Sequence, residues 1–405
     1  MNNTGLNPRP TNAASGLSIS SVTTALASAS IDAWRVHYRA LARRAAGEDV
    51  IVLSVGDPDF DTPASVMEEA VRALREGDTH YTIAGGVGPL ADTIAAVESD
   101  QLGTPITPAQ VVCAGGAQNA LFTVFRCLLD PGDDALLLAP PYTMFGGLAS
   151  ACNANITSAS LNLSGGFELD VAAAERALTP RTRLVLANFP HNPSGAMASD
   201  EAMSALIELT AERGIWLISD EAYSDLVYDG DFVAPQSLAP AAQHIITVRR
   251  LSKSHAMTGW RVGWALCNEE LAPHLRNLIS HFSYGSPNFV QRAAVRALSG
   301  QLDEVREMKA AYRGRRDAFC SALGGIESLR VVKPRAGIFC LLDLEHTSMD
   351  GAAFSEALLR EHGVAVLAGA AFAPELGNYV RVSLCEPEHR LREAAERIKQ
   401  FVASL

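Results

Sequence analysis

Lysine is scarce in this sequence, and only one lysine stands among residues that could support covalent chemistry. The 405-residue chain contains 33 basic side chains, of which 29 are arginine and four are lysine. Lys253 lies in the run Ser252-Lys253-Ser254, shortly after an apolar segment. A lysine that burial and neighbouring charge hold partly deprotonated can form a Schiff base with an aldehyde. Lys253 is therefore the candidate for imine chemistry.

Three other polar or glycine positions follow predicted strands in the same way. Asp220 comes directly after the apolar run 215–219, and Asn192 follows the run that ends at residue 188. Gly116 separates a short apolar run from a helical pattern. In open parallel sheets, ligands bind outside the carboxyl ends of the strands. We therefore expect these positions to meet Lys253 at one edge of a sheet.

Together these residues meet the chemical demands of one cofactor. A carboxylate such as Asp220 can keep a pyridine nitrogen protonated, so that the ring withdraws electrons. Free amide groups and the helix dipole at Gly116 favour an anion such as a phosphate. An aldehyde, a pyridine ring and a phosphate occur together in pyridoxal 5′-phosphate, whose chemistry the protein has only to position and tune.

The elements that must position these residues alternate between strand and helix from about residue 108. This alternation predicts an α/β fold with a mainly parallel sheet covered by helices on both faces. After about residue 300 the order changes to a smaller α+β unit. The predicted strands of the first part span residues 111–114, 135–139, 183–188, 215–219, 245–248 and 262–267. A strand at 50–55 and a helix at 31–46 are predicted nearer the N-terminus.

Composition argues against several other classes of protein. The net charge is −12 and the arginines are scattered, so the basic stripe that nucleic-acid binding needs is missing. No apolar run approaches the roughly 20 residues that span a membrane. The odd number of cysteines, seven, and the lack of a C-x-x-C motif indicate free thiols in a reducing cytoplasm. No H-E-x-x-H motif or Cys/His cluster predicts a metal site.

Five motifs, in order and spacing, resemble the fold-type I, class I/II aminotransferase family. The segment from Leu251 to Trp264 resembles the signature S-K-x(5)-G-W-R-x-G of that family. The other four motifs are Gly56-Asp57-Pro58-Asp59-Phe60, Asn192-Pro193-Ser194-Gly195, Asp220-Glu221-Ala222-Tyr223 and Tyr379-Val380-Arg381-Val382-Ser383. The resemblance extends from Ile31 to Leu405 and implies a pyridoxal-phosphate enzyme.

The resemblance also implies catalytic roles, position by position. Lys253 would form the aldimine with the cofactor and move the proton of the substrate α-carbon. Asp220 would pair with the pyridinium nitrogen, while Asn192 and Tyr223 would hydrogen-bond the phenolic oxygen. Tyr142 would stack on the cofactor ring.

Further roles concern the phosphate and the substrate. The implied phosphate ligands are Ser252, Arg261, Gly116, Ala117 and Gln118. Tyr81 would reach the phosphate of a partner subunit, which implies a homodimer with shared active sites. Arg381 would bind the substrate α-carboxylate through a bidentate fork, with Gly56 and Asn192 beside it.

The resemblance further implies a division of the chain and a reaction. An N-terminal arm (1–30) would precede a segment that joins the small domain (31–60), a large cofactor-binding domain (61–300) and a C-terminal small domain (301–405). Several stretches, including Trp34 to Arg43, are similar to the arginine–pyruvate transaminase branch. We therefore expect ping-pong transfer of an amino group from an L-amino acid, with arginine or a related basic amino acid as the candidate donor, to a 2-oxo acid such as pyruvate. Elimination, replacement or carbon–carbon bond formation in a specialised pathway stays open, because these reactions also begin with loss of the α-proton.

Overall fold

The computed structural model describes residues 19–82, 85–86 and 88–405, without the side chains of residues 21 and 24–33. Most of the predicted N-terminal arm therefore lies outside the described residues. The helices in the described part are α1 Ser21–Ala45, α2 Ala64–Arg75, α3 Pro89–Leu102, α4 Ala117–Leu128, α5 Phe145–Ala151, α6 Val171–Ala177, α7 Asp200–Glu212, α8 Pro235–Leu238, α9 Ala272–Phe282, α10 Asn288–Leu298, α11 Asp303–Leu323, α12 Gly351–His362 and α13 Glu388–Ala403. The strands are β1 Ile51–Val52, β2 Val111–Ala114, β3 Asp134–Ala139, β4 Asn155–Ser160, β5 Thr182–Asn188, β6 Trp216–Asp220, β7 Ile245–Arg250, β8 Gly263–Leu266, β9 Arg330–Val332, β10 Phe339–Asp343, β11 Val364–Ala365, β12 Leu367–Ala368 and β13 Tyr379–Ser383.

A seven-stranded sheet forms the centre of the larger part of the molecule, in the order β2-β8-β7-β6-β5-β3-β4. Only β8 runs antiparallel to its neighbours, β2 and β7, within this sheet. Its inner strands β3 and β5 are largely apolar and almost completely buried, with Arg183 of β5 as an exposed exception, as expected of strands covered on both faces. The predicted α/β class with a mainly parallel sheet is confirmed. The carboxyl ends of β5, β6 and β7 lie side by side, since Asn188 pairs with Asp220 and Asp220 with Val248.

A second, smaller sheet has the order β12-β13-β10-β9, and all its strands run antiparallel to their neighbours. Strand β1 pairs in parallel with β11, so residues near position 51 are joined to the C-terminal part of the chain. Helices α11, α12 and α13 contribute to the apolar core that includes Phe319, Phe354 and Phe401.

Three elements differ from the sequence-based predictions. Strand β1 contains two residues rather than the expected six. Backbone hydrogen bonds continue as far as Leu53, which donates to Ala365 and accepts from Ser383, but the carbonyl group of Ser54 accepts a hydrogen bond from the Arg381 side chain instead. Strand β4 was not predicted, because this polar strand at the edge of the sheet is largely exposed and lacks an apolar run. Helix α1 begins at Ser21, so the boundary placed at residue 30 falls inside a helix.

Candidate active site

A cavity of about 380 Å³ lies where the carboxyl ends of β5, β6 and β7 face the smaller sheet. Most of the predicted site residues line it, although they come from distant parts of the chain. The lining residues are Trp34, Val55, Gly56, Ala117, Gln118, Tyr142, Met144, Phe145, Asn188, Asn192, Asp220, Tyr223, Arg250, Ser252, Lys253, Thr258, Arg261, Phe339 and Arg381. The sheet topology thus brings the lysine, the acid and the amide to one place.

Lys253 lies in the turn after β7, with its amine inside the cavity. Its Nζ donates a hydrogen bond of 2.5 Å to the carbonyl oxygen of Gly56. Burial lowers the pKa of Lys253 from 10.5 to about 8, and the positive charge of Arg250 acts in the same direction. An appreciable fraction of the amine is therefore unprotonated near neutral pH, as attack on an aldehyde requires.

Asp220 ends β6 and is buried at the base of the cavity. Its carboxylate accepts a hydrogen bond of 3.1 Å from the backbone N–H of Ala222. Burial raises the pKa of Asp220, while the charge of Arg250 opposes this shift. A buried carboxylate gains stability from a protonated partner, and a pyridinium N–H is a suitable one. Burial likewise raises the pKa of Tyr223, so its hydroxyl keeps its proton and can donate it to an anionic oxygen.

The turn before α4 forms an anion site together with Arg261. Gly116 adopts a φ of +87° at the N-cap of α4, a conformation that favours glycine. A Cβ atom on Gly116 would overlap Nη2 of Arg261, so a larger residue here would displace the guanidinium. Arg261 is held by hydrogen bonds to the carbonyl groups of Thr258, at 2.9 Å, and Gly115, at 3.3 Å. Helix N–H groups beside an arginine provide donors that suit a phosphate.

Arg381 is a buried cation in the opposite wall of the cavity, with only 2% of its surface exposed. It donates hydrogen bonds to the side-chain oxygen of Asn192, at 3.0 Å, and to the carbonyl oxygen of Ser54, at 2.8 Å. Its guanidinium carbon lies 3.8 Å from the centroid of the Phe339 ring. Burial lowers the pKa of Arg381 to about 10.

No acidic side chain of the described residues forms an ion pair with Arg381, and its buried Nε has no hydrogen-bond partner among them. Leaving a buried charge unpaired is costly, and a carboxylate ligand would remove this cost. Gly56 lies against the same wall, where a Cβ atom would overlap the Phe339 ring. This part of the cavity therefore suits a carboxylate that enters close to the backbone.

Two predicted site residues do not line the cavity of their own chain. Gly116 lies directly behind its wall and contacts Arg261. Tyr81 lies elsewhere on the surface, with 85% of its area exposed and its ring 4.6 Å from the ring of Tyr284. A role for Tyr81 at a phosphate would thus have to be exercised in another subunit.

Sequence reasoning missed several residues of the cavity. Trp34, on α1, and Phe339, on β10, are far from the motifs in sequence, and no spacing pattern predicts that they reach the site. Asn188 and Arg250 end β5 and β7, so the rule that sites form at strand ends could have found both. Asn188 orients the loop, because its side-chain oxygen accepts a hydrogen bond of 3.0 Å from the backbone N–H of Asn192.

Comparison with known proteins identifies the family. The sequence model described as "Aminotransferase class I and II" matches residues 48–398. The chain belongs to the class I and II aminotransferases. It is 43% identical over 373 residues to the arginine–pyruvate transaminase of Pseudomonas aeruginosa, covering 92% of this chain and 95% of that protein. It is 34% identical over 370 residues to the aspartate/prephenate aminotransferase of Thermus thermophilus, covering 91% and 94% of the two chains.

Solved aminotransferase structures have the same fold. A mutant of the aspartate aminotransferase of Thermus thermophilus superposes with a TM-score of 0.89 at 33% identity, covering 95% of this chain and 99% of that one. The aspartate aminotransferase of Thermotoga maritima also gives a TM-score of 0.89, at 31% identity over 95% of this chain and all of that one. The fold is therefore that of the fold-type I aminotransferases.

Family membership settles the activity class and the cofactor. The chain is an aminotransferase, pyridoxal 5′-phosphate is its cofactor, and an amino acid and a 2-oxo acid are its classes of substrate. The expected transamination is confirmed, and the comparisons do not favour elimination, replacement or carbon–carbon bond formation. Within the described part of the chain, no helix is long and apolar enough to cross a membrane, and no group of acidic, histidine or cysteine residues could hold a metal ion.

Proposed function

We propose that this aminotransferase takes its amino group from L-arginine or a related basic amino acid and passes it to pyruvate. The likeness to an arginine–pyruvate transaminase over nearly the whole of both chains supports this choice. The observation in the cavity that carries it concerns charge. Among the described residues, the cavity wall contains four lysine or arginine side chains, which are Arg250, Lys253, Arg261 and Arg381.

Three of these four cations have another role within the site, and the fourth, Arg250, lies beside Asp220 on the side of the cavity that suits the cofactor. Arg381 suits the α-carboxylate, Arg261 suits the phosphate and Lys253 is the reactive amine. Arg250 lies over the ring of Tyr223 at 5.7 Å, beside Asp220. The described residues thus leave no cation for the second carboxylate of a substrate such as aspartate. Trp34 instead offers an aromatic face, on which a guanidinium can stack.

The roles of the individual residues follow from their positions in the cavity. When bound, pyridoxal phosphate withdraws electrons from the substrate α-carbon and so makes its proton removable. Lys253 would take this proton and return it, because its largely buried amine has a lowered pKa. Asp220 would keep the ring nitrogen protonated, and Tyr223 and Asn192 would donate to the phenolic oxygen. Tyr142 stacks on the ring.

The two anionic groups, the substrate α-carboxylate and the cofactor phosphate, would bind at opposite walls of the cavity. Arg381 orients the substrate through its α-carboxylate, with Gly56 and Asn192 beside it. The phosphate is held at the start of α4 and by the turn after β7, a set that comprises Gly116, Ala117, Gln118, Ser252 and Arg261. Holding the carboxylate and the phosphate at these two places would keep the α-carbon near Lys253.

The active enzyme, in this proposal, is a homodimer with shared sites. Tyr81, Tyr284 and Phe282 are exposed by 85%, 57% and 54%, an unusual amount of aromatic surface for one region of a free chain. A second copy that covers this surface would bring Tyr81 to its own phosphate site. The pairing of β1 with β11 supports assigning residues 31–60 and 301–405 to one small domain and 61–300 to a large one. Seven free cysteines are compatible with work in the cytoplasm.

A half-reaction screen tests the substrate assignment. The enzyme loaded with pyridoxal phosphate is mixed with L-arginine, L-citrulline, L-alanine or L-aspartate, and its absorbance is followed until the pyridoxamine form appears. We expect arginine to react with the highest kcat/KM, and pyruvate to restore the starting spectrum. A preference for aspartate would contradict the proposal, as would release of ammonia without formation of the pyridoxamine form.

A further inference from the structure

Arg250 is a cavity residue to which no role has been given in binding or catalysis. It is the last residue of β7, and its neighbour Arg249 projects to the opposite face of the sheet. On that face, Arg249 forms buried ion pairs with Glu221, at 2.7 Å, and with Glu98, at 2.9 Å. Arg250 instead enters the cavity. The two adjacent arginines therefore serve different purposes.

The surroundings of Arg250 provide no direct ion pair among the described residues, although the carboxylate of Asp220 is near enough to interact with its charge. Its guanidinium carbon lies 5.7 Å from the centroid of the Tyr223 ring, which holds the side chain in place. Its Nε is buried without a hydrogen-bond partner among the described residues, and none of their acidic groups forms an ion pair with it. A buried donor without an acceptor destabilises the folded chain. An anionic ligand in the cavity would remove this cost.

The sheet places Arg250 next to the anion turn. Arg250 pairs in register with Gly263 of β8. A Cβ atom on Gly263 would lie 2.6 Å from the backbone nitrogen of Ala117 and 2.7 Å from the carbonyl carbon of Gly116, so these backbones are in close contact. On its other side, β7 adjoins β6, which ends at Asp220. Arg250 thus lies between the helix terminus that suits a phosphate and the acid that suits the ring nitrogen.

We propose that Arg250 is a second arginine for the cofactor phosphate, acting beside Arg261 and selecting the phosphorylated form of the cofactor. A phosphate dianion has enough acceptor atoms for two guanidinium groups and the amides at the start of α4. The proposal rests on the assignment of the phosphate to the turn at Gly116 and to Arg261. The other anionic acceptor within reach would be the phenolic oxygen near Tyr223, and the experiment separates these two.

The test measures cofactor binding to the protein without its cofactor, rather than turnover. Affinities for pyridoxal phosphate and for pyridoxal, which lacks the phosphate, are determined by quenching of protein fluorescence. For Arg250→Met we expect the affinity for pyridoxal phosphate to fall about 10- to 100-fold, as for loss of a hydrogen bond to a charged group. Both affinities are compared in a Lys253→Ala background, because the charge of Arg250 also influences the pKa of Lys253. In that background the affinity for pyridoxal should not change. Arg250→Lys should retain part of the preference, and the exposed Arg306→Met serves as the control.

Other outcomes would overturn the proposal. Equal loss of affinity for both ligands would place Arg250 at the ring or in the structure only, and unchanged affinity for both would remove it from the site. Arg261→Met tests the underlying phosphate assignment separately: if it lowers both affinities equally, that assignment fails whatever Arg250 does. Thermal unfolding of each cofactor-free variant identifies misfolding, in which case Arg250→Lys and Arg250→Gln decide the question.

Discussion

Arg381 donates a hydrogen bond of 3.0 Å to the side-chain oxygen of Asn192, although 189 residues separate them in sequence. This contact joins β13 of the smaller sheet to the loop after β5 of the larger one. It also orients the amide, because an oxygen that faces Arg381 leaves the Nδ2 group of Asn192 to donate elsewhere in the cavity. One hydrogen bond therefore links the expected carboxylate site to the expected cofactor site.

Substitution of Arg381 should weaken amino-acid binding while the cofactor stays bound. For Arg381→Ala we expect the free energy of amino-acid binding to weaken by roughly 2–5 kcal/mol, because the substrate carboxylate loses its buried guanidinium partner. Titration with L-arginine, followed by absorbance, measures the Kd, and the cofactor spectrum shows whether pyridoxal phosphate is retained. Arg360→Ala, at an exposed position on α12, is the control. An unchanged Kd would mean that the carboxylate binds elsewhere.

Lys253 should be the attachment point of the cofactor. Lys253→Ala should abolish transamination and the visible absorbance of the lysine-bound cofactor, whereas Lys309→Ala, on the exposed side of α11, should preserve both. Borohydride reduction of the wild-type enzyme followed by peptide mapping should find the cofactor on residue 253. Finding the reduced cofactor on another lysine would refute the assignment.

The lowered pKa of Lys253 predicts the pH dependence of cofactor attachment. The amine must lose its proton before it attacks the aldehyde, so the rate of attachment to the cofactor-free protein should rise with pH, with a midpoint near pH 8. Arg250→Met removes a positive charge that lowers this pKa and should move the midpoint to higher pH. Stopped-flow absorbance at a series of pH values measures the midpoint. A midpoint above pH 10 in the wild type would contradict the burial argument.

Trp34 should contribute to selection of the guanidinium group. L-citrulline has nearly the shape of L-arginine but no charge, so the ratio of their kcat/KM values isolates the contribution of the charge. For Trp34→Leu we expect this ratio to fall about 2- to 30-fold, which corresponds to a cation–π contribution of roughly 0.5–2 kcal/mol. L-alanine should react unchanged. An equal loss for all three substrates would indicate a structural role for Trp34 instead.

Shared active sites can be tested by mixing two inactive variants. Tyr81→Ala and Lys253→Ala subunits, once combined in a hybrid dimer, would form one site with both defects and one intact site. Activity after subunit exchange should therefore exceed the average of the separate variants. Activity equal to that average would show that Tyr81 does not act in the partner's site, and sedimentation of the wild type would establish the assembly independently.

The sequence supported prediction best where local patterns carry physical meaning. Strands β2, β5, β6 and β7 were located because buried strands must be apolar, and Asp220 and Lys253 were found because they follow such strands. Prediction failed at β4, whose polar residues lie at an exposed edge, and for most of the strand expected at 50–55. In the latter, the carbonyl group of Ser54 bonds to the side chain of Arg381 rather than to a neighbouring strand.

By itself, the sequence determined the fold class, the reactive lysine and the chemistry of the cofactor, because residue type and strand-end position constrain these directly. The tertiary structure decided which residues share the cavity with Lys253. Trp34 reaches the cavity because α1 packs beside it, and Phe339 because the smaller sheet faces it. Arg250 enters it because adjacent residues of β7 point to opposite faces of the sheet. The tertiary structure also determines the protonation equilibria of the site, since burial lowers the pKa of Lys253 and raises the pKa of Asp220. Desolvation depends on neighbours that are distant in sequence, and only the folded chain brings them together.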